Sequence, residues 1–200
     1  DELDIDYTKY PYDETYDLYY KKMVSSLKKV KTPYVTMFDN DTFPVISKMM
    51  KNLEFMLENR DYSCCRGWIV DYDYSLIDES KRSVGLIADA DYIDTEENYD
   101  IFKSYEDQDV LNRFRSWCGN NNQLYYNIHK TENVLNAWKV TCQASIIDLT
   151  QIDLLIGACA LLTGKAKVLD GIYLMRHRSS PDSTTHEMFS WVHFVRPTQQ

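Results

Sequence analysis

The chain of 200 residues is poor in glycine and proline, with six and five. Few stretches are therefore marked as linker, and collagen-like and low-complexity classes are excluded. Positive charge is also scarce. A formal net charge of −9 argues against a protein that coats nucleic acid, because that needs clustered Lys and Arg. Any anionic ligand must then be held locally, by a metal or a few basic side chains. Long apolar runs are missing: the longest, residues 154–162, is far short of the roughly 20 residues that span a bilayer. No transmembrane segment is expected. Near the start, no basic stretch leads into an apolar one in the manner of a signal peptide. The cysteines (Cys64, Cys65, Cys118, Cys142, Cys159) form no C-x-x-C pair and have no His at metal-finger spacing. That pattern predicts reduced, mostly buried thiols in a reducing setting, cytoplasmic or peripheral to a membrane.

What is plentiful is tyrosine, at sixteen residues, each carrying a large amphipathic surface. Apolar residues at 44% and charged residues at 26% suit a folded soluble domain rather than a disordered chain. A chain of this length is about one domain and can bury roughly 70% of its unfolded surface.

Residues 1–13 read as an acidic, Tyr-rich arm. Tyr16, Tyr19/Tyr20, Met23, Leu27 and Val30 then recur at helical spacing up to Pro33. Residues 34–38 form a short β-favouring run that stops at Asp39-Asn40-Asp41. Pro44 suits the first turn of a second amphipathic helix through Leu57, and residues 61–72 read as a strand. Residues 73–100 are acidic and aperiodic, a long surface excursion. A helix over 101–117, a polar turn at 119–122, a strand over 123–130 and a helix from Thr131 to Ala144 follow. The apolar helix 149–163 ends at Gly164, and a strand over 167–176 leads into a polar tail, 179–200. Helices alternating with strands predict an α/β layered fold.

Two carboxylates directly after an apolar strand stand where open α/β sheets place their ligands. Asp39 and Asp41 can address one Mg²⁺ or Mn²⁺, whose other ligands are waters and substrate phosphates. Such a metal neutralises a departing diphosphate. Asp-Asn-Asp equally suits a turn that caps the following helix. The run from Val30 to Pro44, then a helix, then Asn59 to Gly67, resembles the metal-site segment of GT-A-fold nucleotide-sugar glycosyltransferases, the family-2-like group. Residues 153–165 followed by 168–176 are similar to that family's acidic helix start, buried helix and closing strand.

The resemblance implies a three-layer α/β/α fold and a hexosyltransferase-type activity, inverting in stereochemistry. The donor would be a nucleotide-diphospho-sugar, and the acceptor a glycan, lipid or protein hydroxyl. It implies that Asp39 sits near ribose and metal, that Asp41 binds the metal, and that Asp153 is the general base. Thr150-x-x-Asp153 also fits a capping box. His177 would be a third metal ligand, with Arg176 and Arg178 pairing the diphosphate, or else the three begin an exposed basic tail. The resemblance further implies an N-terminal truncation, since βαβ units of about 30 residues each would have to precede Asp39; the chain is then the later part of a larger domain, inactive if that part is missing.

Tyr34, Phe38 and Phe43 are expected in the core, His129 on the surface or packed, and Trp191 as an acceptor contact. The acidic run 89–97 lacks the Gly and periodicity of a calcium loop. Two alternatives remain. A haloacid-dehalogenase-like phosphohydrolase also places Asp-x-Asp after a strand, but a Thr or Val should stand where Phe43 does. A non-catalytic carbohydrate-binding or degenerate transferase module fits the shortness of the segment before Asp39.

Overall fold

The structure, a computed structural model, describes residues 7–40, 42–72, 103–120, 123–144 and 149–177. The first helix, α1 (Tyr16–Leu27), starts where the Thr15 side chain accepts the Leu18 N–H at 3.3 Å, one of the donors a helix start leaves open. Its Tyr20 and Leu27 are buried. Residues 7–13 carry no regular structure but are tied to α1: Asp13 pairs with Lys22, and the Ser26 hydroxyl bonds Tyr10 at 3.1 Å.

Next come β1 (Tyr34–Val35), β2 (Thr42–Pro44), α2 (Ile46–Glu58) and β3 (Tyr62–Tyr72). The later half holds α3 (Val110–Asn120), β4 (Ile128–Lys130), α4 (Thr131–Ala144), α5 (Leu149–Thr163) and β5 (Lys165–His177). The strands make one five-stranded sheet in the order β1-β4-β3-β5-β2. Its spine is the parallel pair β3/β5, while β1/β4, β4/β3 and β2/β5 are antiparallel. The parallel pair requires a crossover, and the chain supplies it through α3, α4 and α5.

Neighbouring residues of a strand point to opposite faces, and β3 shows what each face meets. Cys64 packs with Trp117, Leu124 and Leu161, from the α3 and α5 side. Cys65 packs with Met56 of α2, and its thiol donates to the Asn52 carbonyl at 3.2 Å. The fold is mixed α/β with helices on both faces. Close to the bulges that shift the β3/β5 register, Gly171 holds φ +106°, a backbone state an L side chain rarely adopts. Gly67 lies against it: a Cβ there would stand 2.5 Å from the Gly171 carbonyl oxygen.

Several expectations need correction. The strand before Asp39 pairs over two residues only, at the sheet edge, opposite Lys130 and His129. Beyond it the Thr36 hydroxyl, not the backbone ladder, holds the segment by donating to the Tyr126 carbonyl at 3.3 Å. Pro44 does not open a helix. It ends the edge strand β2 opposite Leu174, a position where its missing N–H costs no ladder bond. The strand expected over 123–130 is only Ile128–Lys130, because residues 124–127 turn, with Asn127 N–H on the Leu124 carbonyl at 3.2 Å.

The helix expected over 101–117 starts at Val110, where Asp109 Oδ1 accepts the Asn112 N–H at 3.0 Å. Just before it, Tyr105 bridges Ala166 of β5 through two backbone bonds. Leu149 is already helical, so Thr150 and Asp153 lie inside α5 and make no capping box. Phe43 is 50% exposed rather than in the core. The excursion 73–100, the acidic run 89–97 and the tail 179–200 lie outside the described residues.

Candidate functional site

Asp39 stands exposed at the end of the segment that leaves β1. The Tyr126 hydroxyl donates to its Oδ2 at 2.5 Å. Tyr126 also anchors the approach to Asp39 through its main chain. Its carbonyl accepts from the Thr36 hydroxyl and from the Tyr173 hydroxyl, at 3.3 and 3.0 Å. One residue of the 124–127 turn therefore fixes both the backbone that leads to Asp39 and the carboxylate itself. Above the ring of Tyr126 lies the Arg176 guanidinium from β5, 5.8 Å from the centroid, a cation–π arrangement.

Asp153 enters from the second turn of α5 and is half-buried. Burial pushes its carboxyl up to about 7; the charge of Asp39 adds to the rise, and Arg176 opposes it. The two carboxylates and the guanidinium thus feel one another's charge, although they come from parts of the chain far apart in sequence. Two more phenols close the group. Burial raises Tyr125, and Tyr19, Asp39 and Asp153 raise it further. Tyr19 of α1 is raised by burial and then by Asp39, while a bond to Tyr125 acts in the other direction.

Of the residues singled out from sequence, the fold brings together Asp39, Asp153 and Arg176. Asp41 lies outside the described residues, as do Arg178 and Trp191. His177 is the last residue of β5, its backbone opposite Tyr72, and its side chain lies outside the described residues. His129 is packed rather than exposed: it is fully buried, Nε2 donates to the Leu124 carbonyl at 2.7 Å, and burial lowers its ring to about 4. A neutral imidazole engaged in this way holds the turn that carries Tyr126. Tyr34 is buried, with its hydroxyl on the Met56 carbonyl at 3.0 Å.

The donor chemistry at Asp39 and Asp153 is oxygen only, which suits Mg²⁺ or Mn²⁺ rather than a soft metal. Among the described residues, no group of three or more His, Cys, Asp and Glu converges on one point, and Asp41, the expected second ligand, is not one of those residues. The thiols take no part. Among them Cys64 and Cys65 are buried and Cys118 is exposed, with Cys142 and Cys159 half-buried, so fewer are buried than expected. No helix of the described residues is long and apolar enough to cross a membrane.

Tyr126, Tyr125 and Tyr19 were missed as site residues. Reading 123–130 as a strand assigns alternate residues to the core and hides that two tyrosines occupy a turn. Two adjacent large aromatics directly after a polar, Asn-rich stretch were the available signal, since turns favour Gly, Asn, Asp and Pro. No protein-family model matches the chain, and no curated protein does.

Proposed function

We propose that the chain belongs to a metal-assisted glycosyltransferase of the GT-A-like, family-2-like kind. It would move a sugar from a nucleotide-diphospho-sugar to a hydroxyl of a glycan, lipid or protein. The observation that supports this reading best is Asp153, a carboxyl pushed up to about 7 beside Asp39 and Arg176. A base that titrates near neutrality is what general-base catalysis requires at physiological pH. In the inverting reaction the Asp153 carboxylate takes the proton of the acceptor hydroxyl. The hydroxyl oxygen bonds to the anomeric carbon, and the bond from that carbon to the diphosphate oxygen breaks, its electron pair leaving with the diphosphate.

Arg176 would pair with that leaving group, since its planar fork suits phosphate oxygens. Asp39, with Asp41, would hold the cation, which when bound neutralises the charge on the diphosphate. Tyr126 keeps the Asp39 carboxylate oriented. The order of elements around Asp39 agrees with the resemblance: an extended segment, a helix, then a strand that reaches Gly67.

The test is calorimetric titration of the chain with uridine and guanosine diphosphates in Mn²⁺ and in Mg²⁺. Binding that requires the metal, is lost in Asp41→Ala and is kept in Asn40→Ala supports the reading. Absence of binding to both nucleotides in both metals, in this chain and in a full-length parent that carries it, refutes it.

A further inference from the structure

Residues 8–16 and one face of α1 line an open trough of about 890 Å³. That volume is in the range of small-molecule sites, about 300–1,000 Å³. Tyr10, Tyr12, Tyr16 and Tyr19 line it. Tyr12 is 88% exposed and Tyr16 41%, so these two rings are presented to solvent, while Tyr10 is half-buried and Tyr19 packs against Trp138. Their polar neighbours in the lining are the carboxylates of Asp13 and Glu14 and the hydroxyl of Thr8. The wall is tied in place by the Asp13–Lys22 pair, by the Ser26–Tyr10 bond, and by Lys29, whose Nζ lies 5.6 Å from the centre of the Tyr10 ring.

A pyranose offers an apolar C–H face and a rim of hydroxyls. It is matched by aromatic faces flanked by short hydrogen-bonding groups, and tyrosine supplies both a face and a hydroxyl. The charges argue for a neutral ligand: Lys22 is the cation of the lining and is already paired with Asp13. Tyr19 lines it from α1, and the bond between its phenol and Tyr125 ties this wall to the 124–127 turn. We infer that the trough between the arm and α1 is a binding site for a neutral oligosaccharide. It names a glycan as the acceptor class and, for the reaction alone, rests on the glycosyltransferase reading; the binding itself does not.

Aromatic grooves also receive proline-rich peptides in the polyproline conformation. The carboxylates and hydroxyls among the rings favour the sugar. Saturation-transfer NMR and calorimetry with maltotriose, cellotriose and chitotriose, beside a proline-rich decapeptide, test the inference with neither nucleotide nor metal added. At least one trisaccharide is expected to bind at millimolar concentration, and about tenfold more weakly in both Tyr12→Ala and Tyr16→Ala. Far-UV circular dichroism should show both variants folded, because the rings are exposed. Failure of all three sugars to bind, binding indifferent to both substitutions, or binding of the peptide alone overturns it. Sugar binding by this chain, with no uptake of nucleotide diphosphate and Mn²⁺ by the chain or by a full-length parent, upholds the site and refutes the transferase.

Discussion

Replacing Asp153 by Asn keeps the shape of the side chain and removes its titration. In the folded chain the carboxyl stands at about 7 against an ordinary 3.8, so the folded state holds the proton more tightly than the unfolded one. Stability is then highest when the group is protonated in both states, near pH 4 and below. It falls as the pH rises towards 7 and is fully lost above that. At 1.36 kcal/mol per pH unit the loss is at most roughly 4 kcal/mol. His129 opposes this slope. Burial lowers it from 6.5 to about 4, so its contribution is present above pH 6.5 and is lost as the pH falls towards 4. The two windows overlap, and the wild-type profile alone will be shallow.

The informative quantity is the difference between variant and wild type in urea denaturation, followed by tryptophan fluorescence from pH 4.5 to 8.5. Asp153→Asn should gain on the wild type as pH rises, by roughly 2–4 kcal/mol, with a midpoint near pH 5.5, about half-way between 3.8 and about 7, and a plateau above 7. In an Arg176→Gln background that midpoint should move up, because the opposing positive charge is gone. With Asp39→Asn it should move down. A gap independent of pH would refute the electrostatic account of the site, and with it the case for Asp153 as a base.

Gly67→Ala should cost about 1–3 kcal/mol, because the new methyl would stand 2.5 Å from the Gly171 carbonyl oxygen and 2.7 Å from Tyr173 Cβ. Calorimetry should show Tm lower by several degrees, while Gly119→Ala, whose Cβ meets nothing within 4 Å, should show no comparable loss; equal Tm values would contradict the close approach of β3 and β5. Tyr126→Phe removes the hydroxyl that bonds Asp39. Since Asp39 is exposed and can turn to water, the stability cost should be only about 1 kcal/mol, yet Mn²⁺-dependent nucleotide binding should weaken about tenfold. Affinity equal to wild type would remove Tyr126 from the site.

Periodicity made the helices legible wherever the apolar residues alone decide them. Residues 149–163 are helical as read, and Tyr20 and Leu27 of α1 are buried as their spacing implies. Strand extent was less legible, because pairing is decided by partners that sequence does not name. Tyr34 to Phe38 has the composition of an interior strand, yet its only strand neighbour is the three-residue β4, so it pairs briefly and at the edge. Helix starts were lost where a capping side chain was overlooked. Asp109 stops what looked like a longer helix, and the segment before it is drawn off to pair with Ala166. Asp39 was singled out because a carboxylate directly after an apolar strand suggests chemistry on its own, and Asp153 through the family resemblance. Tyr126 was not, since its part depends on Thr36 arriving from the segment after β1 and on Tyr173 and Arg176 arriving from β5.

The spine of the sheet also governs how the chain can fold. Asp61 and Lys165 sit at the matched ends of β3 and β5, 104 positions apart, joined by an ion pair. Closing so long a loop carries an entropy cost before any strand contact offsets it, which slows folding. At about 5–20 residues per second, a ribosome needs on the order of 5–20 s to make that intervening stretch. Through most of that interval β3 is complete while its parallel partner does not yet exist, and Cys65 and Met56 can be sheltered only by α1, residues 34–37 and α2, which precede them or lie beside them in the chain. A nascent chain caught then has an open strand edge, so chaperone dependence should track synthesis of β5 rather than of the carboxylate site.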